Sequence, residues 1–278
     1  MRKLKEYLNK PLSFAVFLLI IISTVITALT VVFIIGYIFI KGVPNLSLDL
    51  FSLKYSSSNQ SMLPSIINTV YLTALTLLLA VPIGIFSAIY LAEYSRKNSF
   101  FVKIINIANE TLSGIPSIVY GLFGFLAFVI SKKWGYSLLA GVITLAIMVL
   151  PLIIRTSQEA MLGVDNTFRE ASYGLGEGKL RTVFKIVLPS AMPGILSGII
   201  LAIGRIVGET AALIYTAGTV PEAATKLTSS SRTISVHLYC LLNEGLYTEQ
   251  AYATAVVLIV FVVIINALSN ALAKKIMK

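Results

Sequence analysis

Long apolar stretches alternate with short polar segments along this chain. A helix needs about 20 mostly apolar residues to cross a bilayer. Six stretches reach or approach that length, and no repeat of a duplicated, inverted transporter is visible. The pattern therefore predicts a single all-α membrane domain, residues 1–278, with six transmembrane helices at about 14–40, 65–92, 104–130, 134–154, 186–220 and 251–273.

The first apolar stretch follows the basic segment MRKLKEYLNK, which is similar to the start of a signal peptide. Its apolar run, from Phe14 to Ile40, is much longer than the roughly 7–15 residues of a signal-peptide core, and no small-residue cleavage site closes it. We therefore expect this stretch to remain as a membrane anchor.

Prolines interrupt several predicted spans. Each removes a backbone hydrogen-bond donor and tends to kink a helix, and such breaks persist in membranes where protein or a water-filled cavity satisfies the freed carbonyl groups. Ordinary tolerance of proline in membrane helices is an equally good explanation at any single position. The residues concerned are Pro82, Pro116, Pro151, Pro189 and Pro193.

Composition agrees with a membrane protein, since 57% of the residues are hydrophobic and only 12% are charged. The net charge of +10 does not indicate nucleic-acid binding, because the basic residues lie between apolar runs without aromatic residues that would stack on bases. His237 and Cys240 are the only residues of their types and lack further ligands for a metal.

The distribution of Lys and Arg predicts that both termini lie in the cytoplasm, since cytoplasmic loops are enriched in these residues. This orientation assigns to the outer side only six of them: Lys41, Lys54, Lys132, Lys133, Lys226 and Arg232. The cytoplasmic side then receives most of the others, including Arg155, Arg169 and Lys185.

The polar stretch 155–185 between the fourth and fifth predicted spans contains a short candidate helix. Asp165 or Asn166 can cap its start, and Gly174 and Gly176 can end it. A short charged helix of this kind suits docking on a soluble partner, although a solvated connector is the commoner role of such a loop.

The same stretch resembles the cytoplasmic motif of permease subunits in ATP-binding-cassette (ABC) importers. That motif is E-A-A, three residues, G, nine residues and I-x-L-P, and Ser172 is the one departure from it. The resemblance implies a MetI-like (type I) permease bundle whose coupling helix docks on a separate ATPase. The coupling residues that it implies are Glu170, Ala171, Gly176, Ile186, Leu188 and Pro189.

An ATP site in the chain itself is not expected. The string GLGEGKL is similar to a phosphate-binding loop, but Tyr173 and Leu180 occupy positions where that motif requires Gly and Ser or Thr. We therefore expect a transport subunit without catalytic activity, without a metal and without a bound cofactor, energised by ATP that the partner ATPase uses.

The fifth predicted span contains two charged residues, Arg205 and Glu209, four positions apart and hence on one helix face. Charged groups at membrane depth usually face a partner or a cavity. One interpretation is a structural ion pair. The other is a substrate path in which Arg205 attracts an anion and Glu209 holds Arg205 or accepts a hydrogen bond from protonated phosphate. Glu110, in the third span, is more simply explained by snorkelling to the interface.

Several strings, including GRIVGETAALIYTAG and SGIPSIVYGLFG, resemble permeases of phosphate-specific importers, and the PstA family more than the PstC family. This resemblance implies a second permease subunit, an ATPase dimer, an extracytoplasmic phosphate-binding protein and membrane lipid as partners. Two alternatives are left open by the residues. One is the same machine for sulfate or molybdate, and the other is a stand-alone transporter driven by an ion gradient, with Glu110, Arg205 and Glu209 as an intramembrane relay.

Overall fold

The structure is a computed structural model that describes residues 11–95 and 99–276. The basic residues before Pro11, together with Arg96, Lys97 and Lys278, lie outside the described residues. The structure therefore does not bear on their contribution to the predicted orientation. Eleven helices follow one another in the described ranges: α1 (Pro11–Gly42), α2 (Leu63–Ile89), α3 (Phe100–Gly114), α4 (Ser117–Gly124), α5 (Leu138–Leu162), α6 (Asn166–Gly174), α7 (Lys179–Thr182), α8 (Leu188–Gly208), α9 (Ala211–Thr216), α10 (Ile234–Glu244) and α11 (Thr248–Ile276).

Three wider π turns extend or join these helices. They are Tyr90–Tyr94 after α2, Phe125–Ser131 after α4 and Val183–Val187 between α7 and α8. Two short 3-10 turns, Val43–Asn45 and Leu48–Phe51, follow α1. Within the ranges that the structure describes all regular secondary structure is helical, as the sequence predicted.

Among the described residues five helices are long and apolar enough to cross a membrane, and α3 with α4 adds a sixth crossing if the two together form one span. The predicted span 104–130 is divided at Pro116, one of the expected kink positions, into α3 and α4, which meet at an angle of 102°. Pro116 lacks an N–H group and disfavours a helical conformation at the preceding residue, and Ile115 accordingly has an extended backbone (φ −72°, ψ 131°). The Tyr120 hydroxyl donates to the Leu112 carbonyl oxygen (2.7 Å) across this bend.

The fourth spanning helix is longer than the sequence indicated. Helix α5 continues to Leu162, so the first two turns of the predicted polar loop 155–185 belong to it. The segment after Ile154 contains good helix formers, and an Arg155–Glu159 pair at i,i+4 spacing supports its last turns. The charged residue Arg155 therefore lies within α5 and does not mark the end of the helix.

The predicted fifth span, 186–220, is also broken. Helix α8 ends at Gly208, Glu209 has an extended backbone (φ −72°, ψ 129°), and the short helix α9 follows. Ser235 of α10 contacts the break, and its hydroxyl lies within hydrogen-bonding distance of the carbonyl oxygens of Val207 (3.1 Å) and Glu209 (2.9 Å). Backbone breaks within a membrane require such partners, because lipid offers none.

Helix α5 forms the centre of the bundle, since 67% of its most apolar 18-residue stretch is buried. In the corresponding stretch of α1 no residue is buried. Helices α2 and α8 pack on α5, and α8 approaches closely where Gly194 faces Ala160 and Gly198 faces Thr156. Helix α1 packs mainly against α11, so most of its apolar surface is open to lipid or to another subunit.

The bundle has two ends that differ in structure. At one end, which we call the α6 end, the C-terminal parts of α2 and α5 meet the short helices α6 and α7. A second hydrophobic core packs behind them, formed by residues such as Ile89, Met161 and Val187. At the opposite end, the segments after α1 and α9 fold over the tops of α2 and α5, where Asn68 bonds to the backbone of Glu222, Ala224 and Arg232.

Candidate functional site

A cavity of about 510 Å³ opens on one flank of the bundle, between α3, α5 and α8. Arg205 of α8 lines it together with polar residues from the two other helices. The lining from α3 includes Asn106, Asn109, Glu110 and Ser113, and that from α5 includes Arg155, Thr156, Gln158 and Glu159. Such a density of polar side chains on membrane-spanning helices indicates a water-accessible path, because these groups are costly in lipid.

The two arginines of the cavity lie at different depths. Gly198 of α8 faces Thr156 of α5, which adjoins Arg155 in sequence. Arg205 follows Gly198 by two turns of helix, which corresponds to about 10 Å along the axis. Arg155 therefore lies nearer the α6 end of the cavity and Arg205 nearer the opposite end.

The charges of the cavity are not equally neutralised. Arg155 Nε lies 2.9 Å from Glu159 Oε1, and both side chains are largely exposed. None of the ion pairs found among the described residues includes Arg205, which is half-buried. Arg205 therefore retains charge that can attract an anion, whereas Arg155 must exchange its carboxylate partner to do so.

Three further charged residues line this cavity, and two of them had no part in the path predicted from the sequence. Arg155 was expected in a cytoplasmic loop and Glu159 received no role, whereas Glu110 was named only for snorkelling and for the alternative of an ion-driven relay. The structure places all three on the cavity wall. The available signals were the i,i+4 spacing of Arg155 and Glu159 and the isolated carboxylate of Glu110 in an apolar span, but neither identifies which helix faces meet.

The expected pairing of Arg205 with Glu209 is not present. Glu209 lies beyond the end of α8, is 8% exposed, and is not among the residues that line the cavity. Its Oε1 accepts a hydrogen bond from the backbone N–H of Ala212 (3.0 Å) at the start of α9. Residues four apart share a helix face only in a continuous helix, and α8 ends before Glu209. A role of Glu209 in the path stays a hypothesis.

At the α6 end, the coupling segment has the form that the sequence predicted. Asp165 caps α6 by accepting hydrogen bonds from the Thr167 N–H and hydroxyl groups (both 2.9 Å), and these bonds hold the pKa of the Asp165 carboxyl below its usual value. Glu170 and Ala171 are exposed on α6. Gly176 has a positive φ of 84°, which a left-handed turn after a helix requires.

The other coupling residues continue from this turn into the membrane. Ile186 and Leu188 are half-buried, and Pro189 is exposed in the first turn of α8, which continues directly from the π turn Val183–Val187. Ser172, the departure from the motif, is buried, and its hydroxyl lies 2.8 Å from that of Thr182. The motif position thus ties α6 to α7 by a side-chain hydrogen bond.

Around this turn, large apolar side chains are exposed at the α6 end. Leu175 is 85% exposed, and four further large apolar residues close to it in sequence are exposed as well: Phe168, Tyr173, Leu180 and Phe184. Exposed apolar side chains in this number suit a protein interface. The polar cavity on the flank and the exposed apolar side chains at the α6 end are therefore the two candidate functional features of this membrane protein.

Comparisons with known proteins identify the family. Residues 80–278 match the family described as binding-protein-dependent transport system inner membrane component, and the chain belongs to that family. It is 35% identical to the phosphate transport system permease protein PstA of Pasteurella multocida, over 95% of this chain and 93% of the relative. It is 32% identical to the probable ABC transporter permease protein YqgI of Bacillus subtilis, over 83% and 84% of the two chains.

Solved structures agree on the fold. A bacterial ABC transporter that imports the acidic polysaccharide alginate matches over 100% of both chains, with a TM-score of 0.68 and 18% identity. The MetNI methionine ABC transporter matches over 77% of this chain and 94% of its own, with a TM-score of 0.59 and 16% identity. The MetI-like bundle and the resemblance to PstA permeases are thus confirmed, and the chain is a multi-pass inner-membrane transport subunit.

The only histidine lies at the opposite end of the bundle in a buried cluster. His237 packs edge-on against the Tyr55 ring (centroids 6.4 Å apart), and the Arg232 guanidinium lies over the same ring (4.8 Å). Burial, and then the charge of Arg232, lowers the pKa of His237 to about 3. With this pKa the ring is uncharged at neutral pH, and among the described residues no group of three potential metal ligands occurs.

This burial predicts a dependence of stability on pH. The unfolded chain protonates His237 near pH 6.5 and the folded chain only near pH 3, so the unfolded state binds more protons between these values. We expect the free energy of unfolding that His237 contributes to be constant above pH 6.5 and to fall below it, by at most about 1.4 kcal/mol per pH unit. Unfolding in detergent at a series of pH values measures this, with His237→Phe as the comparison. Parallel curves for the two proteins would contradict the prediction.

Proposed function

We propose that this chain is a permease subunit of an ATP-driven importer for inorganic phosphate. The observation that carries the proposal is the cavity lined by Arg155 and Arg205, in a chain that is similar over 95% of its length to a phosphate permease. Arginine binds phosphate oxygens through two parallel N–H bonds, which suits it to a path for this anion. The open flank of the cavity is closed, in this proposal, by a second, PstC-like permease subunit.

The other partners follow from the two ends of the bundle. With both termini in the cytoplasm, the α6 end faces a dimer of PstB-like ATPase subunits, which bind and hydrolyse the ATP. The opposite end receives phosphate from a PstS-like binding protein outside the membrane. This chain itself performs no covalent chemistry and holds no cofactor in the proposed mechanism.

Transport then proceeds by a change in the access to the cavity. ATP binding draws the ATPase subunits together and moves α6 through Glu170 and the turn at Gly176. The movement passes into α8 through Ile186, Leu188 and Pro189. Phosphate leaves Arg205 for Arg155, and the carboxylate of Glu159 gives up its bond to Arg155 as the anion arrives. The anion thereby keeps a cationic partner at each depth.

Uptake of labelled phosphate tests this proposal. The assay compares cells with and without the gene, in excess unlabelled sulfate, with the proton-motive force collapsed while ATP is kept high. We expect gene-dependent uptake to persist. Uptake that stops with the proton gradient would identify an ion-driven transporter instead. Gene-dependent uptake of sulfate or molybdate, but not of phosphate, would reassign the substrate.

Two carboxylates are candidates for recognising the proton of HPO₄²⁻, which sulfate lacks. Glu110 lines the cavity, whereas the Glu209 carboxylate is committed to the Ala212 N–H. We expect Glu110→Gln to reduce the preference for phosphate over sulfate more than Glu209→Gln does, by roughly ten- to a hundredfold for the loss of one charged hydrogen bond. Competition of sulfate with labelled phosphate measures the preference. The reverse order would restore Glu209 as the recognition residue.

A further inference from the structure

Arg169, one residue before the coupling motif, forms a junction at the α6 end. Its Nη1 donates to the Val164 carbonyl oxygen (2.8 Å) and to Asn166 Oδ1 (3.2 Å), and its Nη2 donates to the Met161 carbonyl oxygen (2.8 Å). The carbonyl groups of Met161 and Val164 lie at the C-terminal end of α5, where a helix leaves its last carbonyls without partners. The guanidinium of α6 therefore caps α5.

The same guanidinium also holds α2. Arg169 Nε and Nη2 lie 3.1 Å and 2.7 Å from Glu93 Oε1, and the two side chains are 13% and 6% exposed. Glu93 belongs to the π turn Tyr90–Tyr94 that ends α2. All three nitrogens of Arg169 are thus bonded, and removal of one partner from a buried pair of this kind is costly because the other charge is left uncompensated.

A second contact supports the first. Lys179 Nζ of α7 lies 4.9 Å from the ring centroid of Tyr94, in the same π turn. The hydrophobic core behind these contacts joins α2, α5, the π turn Val183–Val187 and α8. Helices α6 and α7 are therefore attached to the ends of two spanning helices, in addition to their continuation into α8.

We propose that Arg169 and Glu93 form a clamp that transmits the movement of the coupling helix to α2 and α5. This inference rests on the proposed ATP-driven function. Helix α5 carries Arg155 and Glu159 on the cavity wall, so a displacement of α6 reaches the cavity through α5 as well as through α8. Arg169 and Glu93 are positioning residues, because the structure places neither of them at the cavity.

The clamp is tested on the complete transporter in liposomes, by measuring phosphate uptake and ATP hydrolysis together. We expect Glu93→Ala to lower the phosphate transported per ATP at least tenfold, while hydrolysis changes by less than threefold and the ATPase subunits still copurify. Glu93→Gln, which keeps an acceptor for Arg169, should fall between Glu93→Ala and the natural protein. Glu249→Ala, which removes an exposed carboxylate from the first turn of α11, is the matched control and should leave the ratio unchanged.

A covalent replacement distinguishes transmission from folding. In a chain with Cys240→Ser, cysteines introduced by Glu93→Cys and Arg169→Cys are joined by a short bifunctional thiol reagent. We expect the crosslink to restore at least half of the lost phosphate-to-ATP ratio. If uptake, ATP hydrolysis and copurification are all lost together and the crosslink restores none of them, the pair is only a folding contact. Normal phosphate-to-ATP ratios in every variant would also overturn the proposal. A natural protein that shows no ATP-dependent phosphate uptake would instead refute the proposed function.

Discussion

Replacing Arg205 with glutamine is expected to lower phosphate uptake about a hundredfold, which corresponds to roughly 3 kcal/mol for one charged contact with the anion. Arg205 is the cavity arginine that makes no ion pair with any described residue, so its charge is available to the substrate. The Arg205→Lys variant keeps the charge but loses the paired N–H geometry, and we expect it to retain an intermediate rate.

The control for this prediction removes a cation from outside the cavity. Lys103 is an exposed residue of α3, and it is not among the residues that line the cavity. Initial rates of labelled phosphate uptake, normalised to the amount of protein in the membrane, should be unchanged within twofold in Lys103→Gln. Equal losses in Lys103→Gln and Arg205→Gln would show that the overall positive charge matters and that the cavity does not.

Substitution of Gly176 is expected to uncouple the transporter through the backbone. At φ 84° a β-branched side chain is strained, and Asn tolerates positive φ better than most residues. No atom lies within 4 Å of a Cβ added at Gly176, so steric crowding within the chain does not contribute. We therefore expect uptake to decrease in the order Gly176, Gly176→Asn, Gly176→Val, with the Val variant at least tenfold below the natural protein.

Gly174 supplies the matched control, because it ends α6 without positive φ and also has open space around an added Cβ. Gly174→Ala should retain uptake within twofold. ATP-dependent uptake and copurification of the ATPase subunits are measured for all four proteins. Equal losses in the Asn and Val variants would place the effect at the partner's surface, and not in the backbone conformation of the turn.

The limits of sequence reasoning are clearest at Pro116 and Glu209. Both positions lie within apolar stretches of sufficient length for a span. The proline at 116 indicated a kink, whereas nothing in the hydropathy pattern indicated the break at Glu209. The breaks are stable because Tyr120 and Ser235, on other turns or other helices, contact the freed carbonyl groups. Hydropathy carries no information on partners so distant in sequence. For this reason the prediction that Arg205 and Glu209 share one helix face was wrong.

The coupling segment shows the opposite case. Its cap at Asp165, its short helix and its turn at Gly176 depend on interactions between residues close in sequence, and the pattern predicted them correctly. The motif spacing also indicated the family, which the comparisons confirmed. Arg169, by contrast, was only one of several basic residues in a loop until the structure placed Glu93 beside it.

The sequence by itself determined that this is a helical membrane subunit of an ABC importer, because apolar length, local capping and motif spacing are properties of adjacent residues. The tertiary structure alone decided where the helices break, which charges share a cavity, and how α6 is attached to the bundle. Each of these depends on side chains from separate helices, such as Glu110, Arg155 and Arg205, whose proximity is set by packing and not by distance along the chain.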